Sequence, residues 1–216
     1  MKRLVVYDLD GTLVDTLEDL AAATGHALHT LGAPPVPLAD VRRAVGRGVH
    51  DLIRQCLGTD DAQQIDEGVA IFRAYYAHHF IDRSRLYPGA QALLDHFRGR
   101  HQAVITNKPD PFSRQILEAL GVAGYFIEII AGGSRYPHKP DPSSLHALMR
   151  QAGAGPQETL LVGDSPIDVE TGRRAGVATV MMTHGLSGEA ELRAAGPDAL
   201  VDGFAELLAL ARRQKW

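Results

Sequence analysis

The sequence predicts an α/β fold: a parallel sheet covered by helices on both faces, with a helical insertion between its first and second strands. Three observations carry that prediction. Short apolar runs recur at LVVY (4–7), AVIT (103–106), FIEIIA (126–131), TLLVG (159–163), VATVMM (177–182) and, more weakly, ALV (199–201). Most are separated by stretches with helical apolar spacing, and strands that are apolar throughout belong to sheets buried on both faces. The first two runs stand roughly ninety residues apart, where a βα crossover needs far fewer.

The elements follow in order. LVVY is the first strand and leads into Asp8. The stretch from about Leu13 to Leu86 then reads as helices. Thr16 with Asp19 has the spacing of a capping box, with Asp where Glu or Gln is usual. Leu17, Leu20, Leu28 and Leu31 continue at helical spacing. GAPPVP (32–37) breaks the pattern, which resumes at 38–45, 49–57 and 61–80. Residues 14–86 are therefore expected to form a helical cap, and residues 1–13 with 87–216 the core. Within the core, residues 88–98 place Ala92, Leu93 and Phe97 on one helix face, with Pro88 in the first turn. Further helices are expected over 110–120 (Ile116, Leu117), 142–152 (Leu145, Leu148) and 203–213 (Leu207, Leu208).

Composition narrows the function classes. Apolar content of 45% and charged content of 22% are those of an ordinary globular chain. The net charge is −4 and no basic block is present, which argues against a nucleic-acid face. An acidic protein gains no long-range steering of anions, so any anion must be held by local cations and backbone N–H groups. Cys56 is the single cysteine, which excludes an intrachain disulfide and fits a reducing compartment. No apolar stretch has the length of a signal peptide or membrane span, so a cytoplasmic protein without a membrane partner is expected.

Polar groups stand at four strand ends. Asp8 follows the first strand, with Asp10 and Gly11 just beyond. Thr106 and Asn107 close the second, Lys139 follows the third in SRYPHKPDP, and Asp164 closes the fourth in LLVGDSPID, with Asp168 four residues on. Each alone is ordinary: an aspartate after a strand is usually a turn former, and a loop lysine is usually solvated. In open parallel sheets, however, ligands bind beyond the carboxyl ends of the strands, so these groups can converge although about 155 residues separate them. Asp8, Asp10 and Asp164 form an oxygen-rich cluster suited to a hard divalent cation such as Mg²⁺. Thr106 and Asn107 offer neutral donors and Lys139 a positive charge, the parts of a phosphoryl-transfer site. Asp8 would attack phosphorus. Asp10 would protonate the leaving oxygen and then deprotonate water, once Gly11 bends the chain to bring both carboxylates to the substrate. Two of the four lysines, Lys108 and Lys139, fall in these loops and none falls in the insertion.

These residues carry a resemblance. DLDGT (8–12), Thr106, Lys139 and GDSPID (163–168) resemble the four motifs of the haloacid dehalogenase superfamily. The flanking segments LYPGAQALL, VITNKPDPF, HKPDP and VGDSPIDVETGRRAGV are similar to its phosphoglycolate phosphatases. The resemblance spans essentially the whole chain. It implies a Rossmann-like core with an α-helical cap and an Mg²⁺-dependent phosphatase working through an aspartyl-phosphate. Asp8 is then the nucleophile, Asp10 the acid and base, and Asp8, Asp164 and the Asp10 carbonyl the metal ligands. Thr106 and Asn107 hold phosphate oxygens, Lys139 stabilises charge, and Asp168 supports Lys139 or a metal-bound water.

The same resemblance separates reactions. Dehalogenases lack an acid at the place of Asp10, and phosphonoacetaldehyde hydrolases use a cap lysine that this insertion lacks. The expected substrate is 2-phosphoglycolate. Other small phosphate esters, pyrophosphate, nucleotides or a β-phosphoglucomutase-like reaction are the alternatives. The cap is expected to choose the substrate, with Arg47 in AVGRGVHDLI (44–53) placed to meet a substrate carboxylate. Tyr136 and His138 are expected to pack beside the site. The partner is thus a small phosphorylated metabolite, met by a monomer or a homodimer.

Overall fold

The computed structural model describes residues 1–216. After β1 (Leu4–Tyr7) the chain forms a two-residue strand, β2 (Val14–Asp15). Four helices follow, α1 (Leu17–Thr30), α2 (Leu38–Ala44), α3 (Val49–Leu57) and α4 (Ala62–His79), and then a second short strand, β3 (Arg85–Leu86). The remainder alternates as α5 (Ala90–His96), β4 (His101–Pro109), α6 (Phe112–Ala119), β5 (Glu128–Gly132), α7 (Ser143–Ala152), β6 (Thr159–Gly163), α8 (Pro166–Ala175), β7 (Ala178–Met182), α9 (Glu189–Ala195), β8 (Ala199–Val201) and α10 (Phe204–Gln214).

Six strands make one parallel sheet in the order β5-β4-β1-β6-β7-β8. β1 lies inside it, with Tyr7 in register with Val104 of β4 and Val162 of β6. From β4 the chain moves outward to β5 and then returns to the other side of β1, so the topological switch point falls beside β1, where Asp8 emerges. The continuous apolar strands serve two cores. Val5, Tyr7, Val104, Leu160 and Val162 pack with α5, α6 and α10 on one face. Leu4, Val6, Ala103, Ile105 and Leu161 pack with α7 and Ala175 on the other. Trp216 packs against the first of these clusters, with the Lys2 ammonium 6.0 Å from its ring centre.

The helices α1–α4 enclose a cluster of their own, in which Leu20, Ala27, Ile53, Phe72 and Tyr76 are buried together with Phe112 from α6. The two chain crossings into this bundle are tied to each other by the β2–β3 ladder, where Val14 pairs with Leu86 and Asp15 with Arg85.

Two local expectations are corrected. The Thr16–Asp19 pair is not a capping box: Thr16 makes no side-chain cap bond. Its hydroxyl donates to Asp10 Oδ1 at 2.6 Å. Asp19 is buried and accepts from the N–H of Arg83 (2.9 Å), the N–H of Ser84 (2.8 Å) and the Ser84 hydroxyl (2.7 Å). A local pattern had a distant partner, and the carboxylate joins the outgoing chain to the returning one. Pro88 also lies outside its helix, because Gly89, at φ +86°, is the residue before α5.

Asp19→Ala is therefore expected to lower the unfolding free energy by about 3 kcal/mol, since it strands buried donors that a charged acceptor satisfied. Urea denaturation beside an exposed control, Glu18→Ala, checks this; equal midpoints for the two variants would refute the clamp.

Candidate active site

Asp8 and Asp10 do not share a direction, and the reason is the turn between them. The Leu9 carbonyl accepts from the N–H groups of Thr12, Leu13 and Val14, at 3.0–3.2 Å, which folds the chain back immediately after β1. Gly11 stands at φ +80°, and a Cβ there would lie 2.3 Å from Asp164 Oδ2. Both the conformation and the space require glycine.

The turn delivers Asp8 to a cluster of carboxylates. Asp8, Asp164 and Asp168 each offer an oxygen within 4.8 Å of the others. Lys139 enters between two of them, its ammonium 2.8 Å from Asp8 Oδ2 and 2.7 Å from Asp168 Oδ1. Asp168 is spent on this support: its second oxygen accepts from the Ser165 hydroxyl at 2.6 Å, so it fixes the lysine and caps α8 at once. Asp164 accepts from the Thr12 hydroxyl (2.7 Å) and the Leu186 N–H (2.8 Å).

The charges do not balance. Burial, with Asp168 adding to it and Lys139 opposing it, pushes the Asp8 carboxyl up to about 6. Burial, then Asp8 and Asp168, hold Asp164 well above the ordinary carboxylate range. Burial alone would lower the Lys139 pKa, but Asp168 and Asp8 outweigh it and hold the ammonium above its usual value. Three carboxylates with hard oxygen donors around one ammonium are short of positive charge. Asp8 and Asp164 therefore fit a divalent metal ion, with Asp168 held one step back.

Asp10 lies outside that cluster. Its Oδ1 accepts from the Lys108 ammonium at 3.0 Å and from Thr16. Sequence reasoning marked Lys108 only by its place in a site loop and gave it no role. It is buried, and its ammonium stands 4.8 Å from the ring centre of Tyr76 on α4. Thr12 and Thr16 were likewise not singled out as site residues, because a threonine in a turn carries no distinguishing signal.

β4 runs through Thr106 and Asn107 to Pro109, with a register shift between Ile105 and Pro109. Thr106 is buried at the cavity wall and its oxygen accepts from the Lys108 N–H at 3.2 Å. The Asn107 amide is committed to backbone: it donates to the carbonyls of Gly46 (2.9 Å) and Lys139 (3.1 Å) and accepts from the Lys139 N–H (2.8 Å). It thus sets the Lys139 loop and holds the 46–48 loop at once. Tyr136 packs against the second core cluster, and His138 is exposed.

A cavity of about 720 Å³ opens between the helical bundle and the sheet, with Asp8, Asp10, Thr106 and Asp164 at its floor. The bundle contributes Arg42, Arg43, Arg47 and Arg73 to the wall, and no carboxylate. Arg42 is bound to the carbonyls of Gly185 and Leu186, and Arg43 to Asp40. Arg47 and Arg73 make no ion pair and are free to meet an anion.

The sequence model described as "Haloacid dehalogenase-like hydrolase" matches residues 5–182. A phosphoglycolate phosphatase of Pseudomonas putida is 38% identical over 96% of this chain and 79% of its own length. One of Vibrio parahaemolyticus is 35% identical over 95% and 94%. A crystal structure described as a predicted phosphoglycolate phosphatase from Haemophilus somnus superposes with a TM-score of 0.92 at 30% identity, over 97% of this chain and 98% of that one.

The raised carboxyls have a measurable consequence. A group whose folded pKa is raised stabilises the fold below its unfolded value and loses that contribution as pH rises through the folded one. For Asp8 the loss runs from about 4, the ordinary aspartate value, to about 6. A divalent cation reverses it by binding the ionised form. Saturating MgCl₂ at pH 7.5 is expected to raise the thermal midpoint by about 5–10 °C, the shift being smaller at pH 5. It should vanish in Asp164→Asn; thermal denaturation at both pH values decides.

Proposed function

We propose that this chain, which belongs to the haloacid dehalogenase-like hydrolases, is an Mg²⁺-dependent phosphatase of small phosphate monoesters that converts 2-phosphoglycolate to glycolate and phosphate. One observation carries the reading. A carboxylate at the switch point of the sheet, paired with a buried lysine, faces a cavity to which the helical bundle contributes arginines and no acid. The floor suits a phosphoryl group, and the wall suits a substrate with a second negative charge. Phosphoglycolate carries both, and it is the substrate in the relatives' names.

Asp8 attacks phosphorus, and Asp10 gives its proton to the departing alcohol oxygen, leaving an aspartyl-phosphate on Asp8. Asp10, now ionised, takes a proton from water, which attacks the same phosphorus and releases phosphate and Asp8. Lys139 and the Thr106 hydroxyl meet the negative oxygens of the phosphoryl group as they gain charge. Asp8, Asp164 and the Asp10 carbonyl would hold Mg²⁺, which would supply further positive charge at the site and offset the repulsion between the carboxylates. Asp168 keeps Lys139 in place. Arg47 binds the substrate carboxylate. In this reading residues 14–86 act as a cap that selects substrate, and residues 1–13 and 87–216 as the catalytic core.

The cavity, at about 720 Å³, is larger than so small a molecule fills. That favours a sugar phosphate or nucleotide as the second reading. Purified protein with Mg²⁺, offered phosphoglycolate, sugar phosphates, nucleoside monophosphates and pyrophosphate, separates the two by kcat/KM. Product analysis distinguishes hydrolysis from phosphate migration within a sugar.

Asp8→Asn is expected to reduce phosphate release to background while the circular dichroism spectrum stays unchanged; residual turnover would remove Asp8 as nucleophile. Arg47→Ala is expected to raise KM for phosphoglycolate at least tenfold, the loss of roughly one charge-assisted hydrogen bond, with kcat nearly kept. An unchanged KM would pass the carboxylate contact to another residue.

A further inference from the structure

We propose that Lys108 is the positioning residue of the proton-transferring carboxylate Asp10, and that the cap residue Tyr76 completes its seat. The inference rests on the phosphatase reading above and adds a residue to it. Asp10 Oδ1 receives both the Lys108 ammonium, at 3.0 Å, and the Thr16 hydroxyl, at 2.6 Å. No hydrogen bond engages Oδ2. Two donors on one oxygen fix the plane of the carboxyl and leave the other oxygen open to the cavity, which is what a group that must give and take a proton requires.

Lys108 itself has little freedom. Its side chain is 3% exposed and meets one carboxylate, that of Asp10. On the other side, the Tyr76 ring centre lies 4.8 Å from the ammonium. Tyr76 is 1% exposed, stacked on Phe72 and edge-on to Phe112, so the ring is fixed from both the bundle and the core. An aromatic face attracts a cation most strongly where water is excluded. Lys108 belongs to β4, Asp10 follows β1 and Tyr76 belongs to α4, so the orientation of Asp10 depends on a side chain of the cap. Lys139 serves Asp8 in a parallel way. Two of the four lysines thus position the two aspartates separated by a single residue.

The test uses the leaving group. Proton donation matters most when the departing oxygen is basic, and least when it leaves readily as an anion. In the full-length protein with Mg²⁺, Lys108→Met keeps the stem beneath Tyr76 and removes the donor. We expect its kcat/KM for phenyl phosphate or an alkyl phosphate to fall about a hundredfold, within the range proton transfer contributes. For 4-nitrophenyl phosphate it should fall less than about fivefold, because that leaving group needs little protonation. Lys108→Arg should recover part of the loss with the basic leaving groups. Tyr76→Leu should show the same contrast, more weakly, and Tyr76→Phe should not. If Lys108→Met does not fold, Lys108→Gln carries the comparison. Equal losses across leaving groups would overturn the proposal, since a lysine that bound phosphate or merely held the fold would affect them alike. No loss at all would overturn it too. Failure of the wild-type protein to hydrolyse any ester would instead overturn the phosphatase reading.

Discussion

A single buried ammonium organises this molecule's chemistry. Lys139 sits between Asp8 and Asp168, nearly out of water, and without it two carboxylates would face each other across a few ångströms. Removing one member of such a group leaves an uncompensated charge, which is far more costly than never having built the group. Other parts of the fold serve that arrangement. Asn107 fixes the lysine's backbone, Ser165 takes up the spare oxygen of Asp168, and glycine at position 11 lets the β1 loop pass close enough to Asp164. The remaining imbalance between Asp8 and Asp164 is the kind that a divalent cation relieves.

The core was readable from the chain because its rules are local and repetitive. Continuous apolar strands, helical spacing between them and polar groups at strand ends are each visible in a short window. Parallel topology then brings the ends together without further information. Asp8, Asp164, Lys139 and Asp168 meet as that logic requires. What escaped was contact at long range. Asp19 reads as a cap residue within its own window, yet its donors lie in Arg83 and Ser84. Asn107 reads as a free donor by residue type, yet its amide is consumed by backbone. Lys108 stood out only because lysines are scarce; nothing nearby in sequence told of Asp10 or Tyr76.

The different surroundings of the two aspartates follow from the same geometry. Asp8 is held by a lysine from the β5–α7 loop and stands among other acids. Asp10 is held by a lysine from β4 and stands against an aromatic face. One residue of separation and one sharp turn place identical side chains in different electrostatic surroundings. The sheet supplies one surrounding and the helical bundle contributes to the other.

The lysines have a last consequence, for handling the protein. Lys2, Lys108 and Lys139 are all buried, and Lys2 is bound to the carbonyls of Gln157 and Thr159. The insertion has none, and the exposed cations there are arginines and histidines. Among lysine side chains only Lys215 reaches solvent. Its neighbour Trp216 lies by Lys2, at the opposite end of β1 from Asp8. Acylating reagents, dyes and activated supports therefore find one lysine, on the side of the molecule away from the cavity mouth. Coupling through it would hold the protein by the face opposite the cavity, with the cavity mouth turned outward.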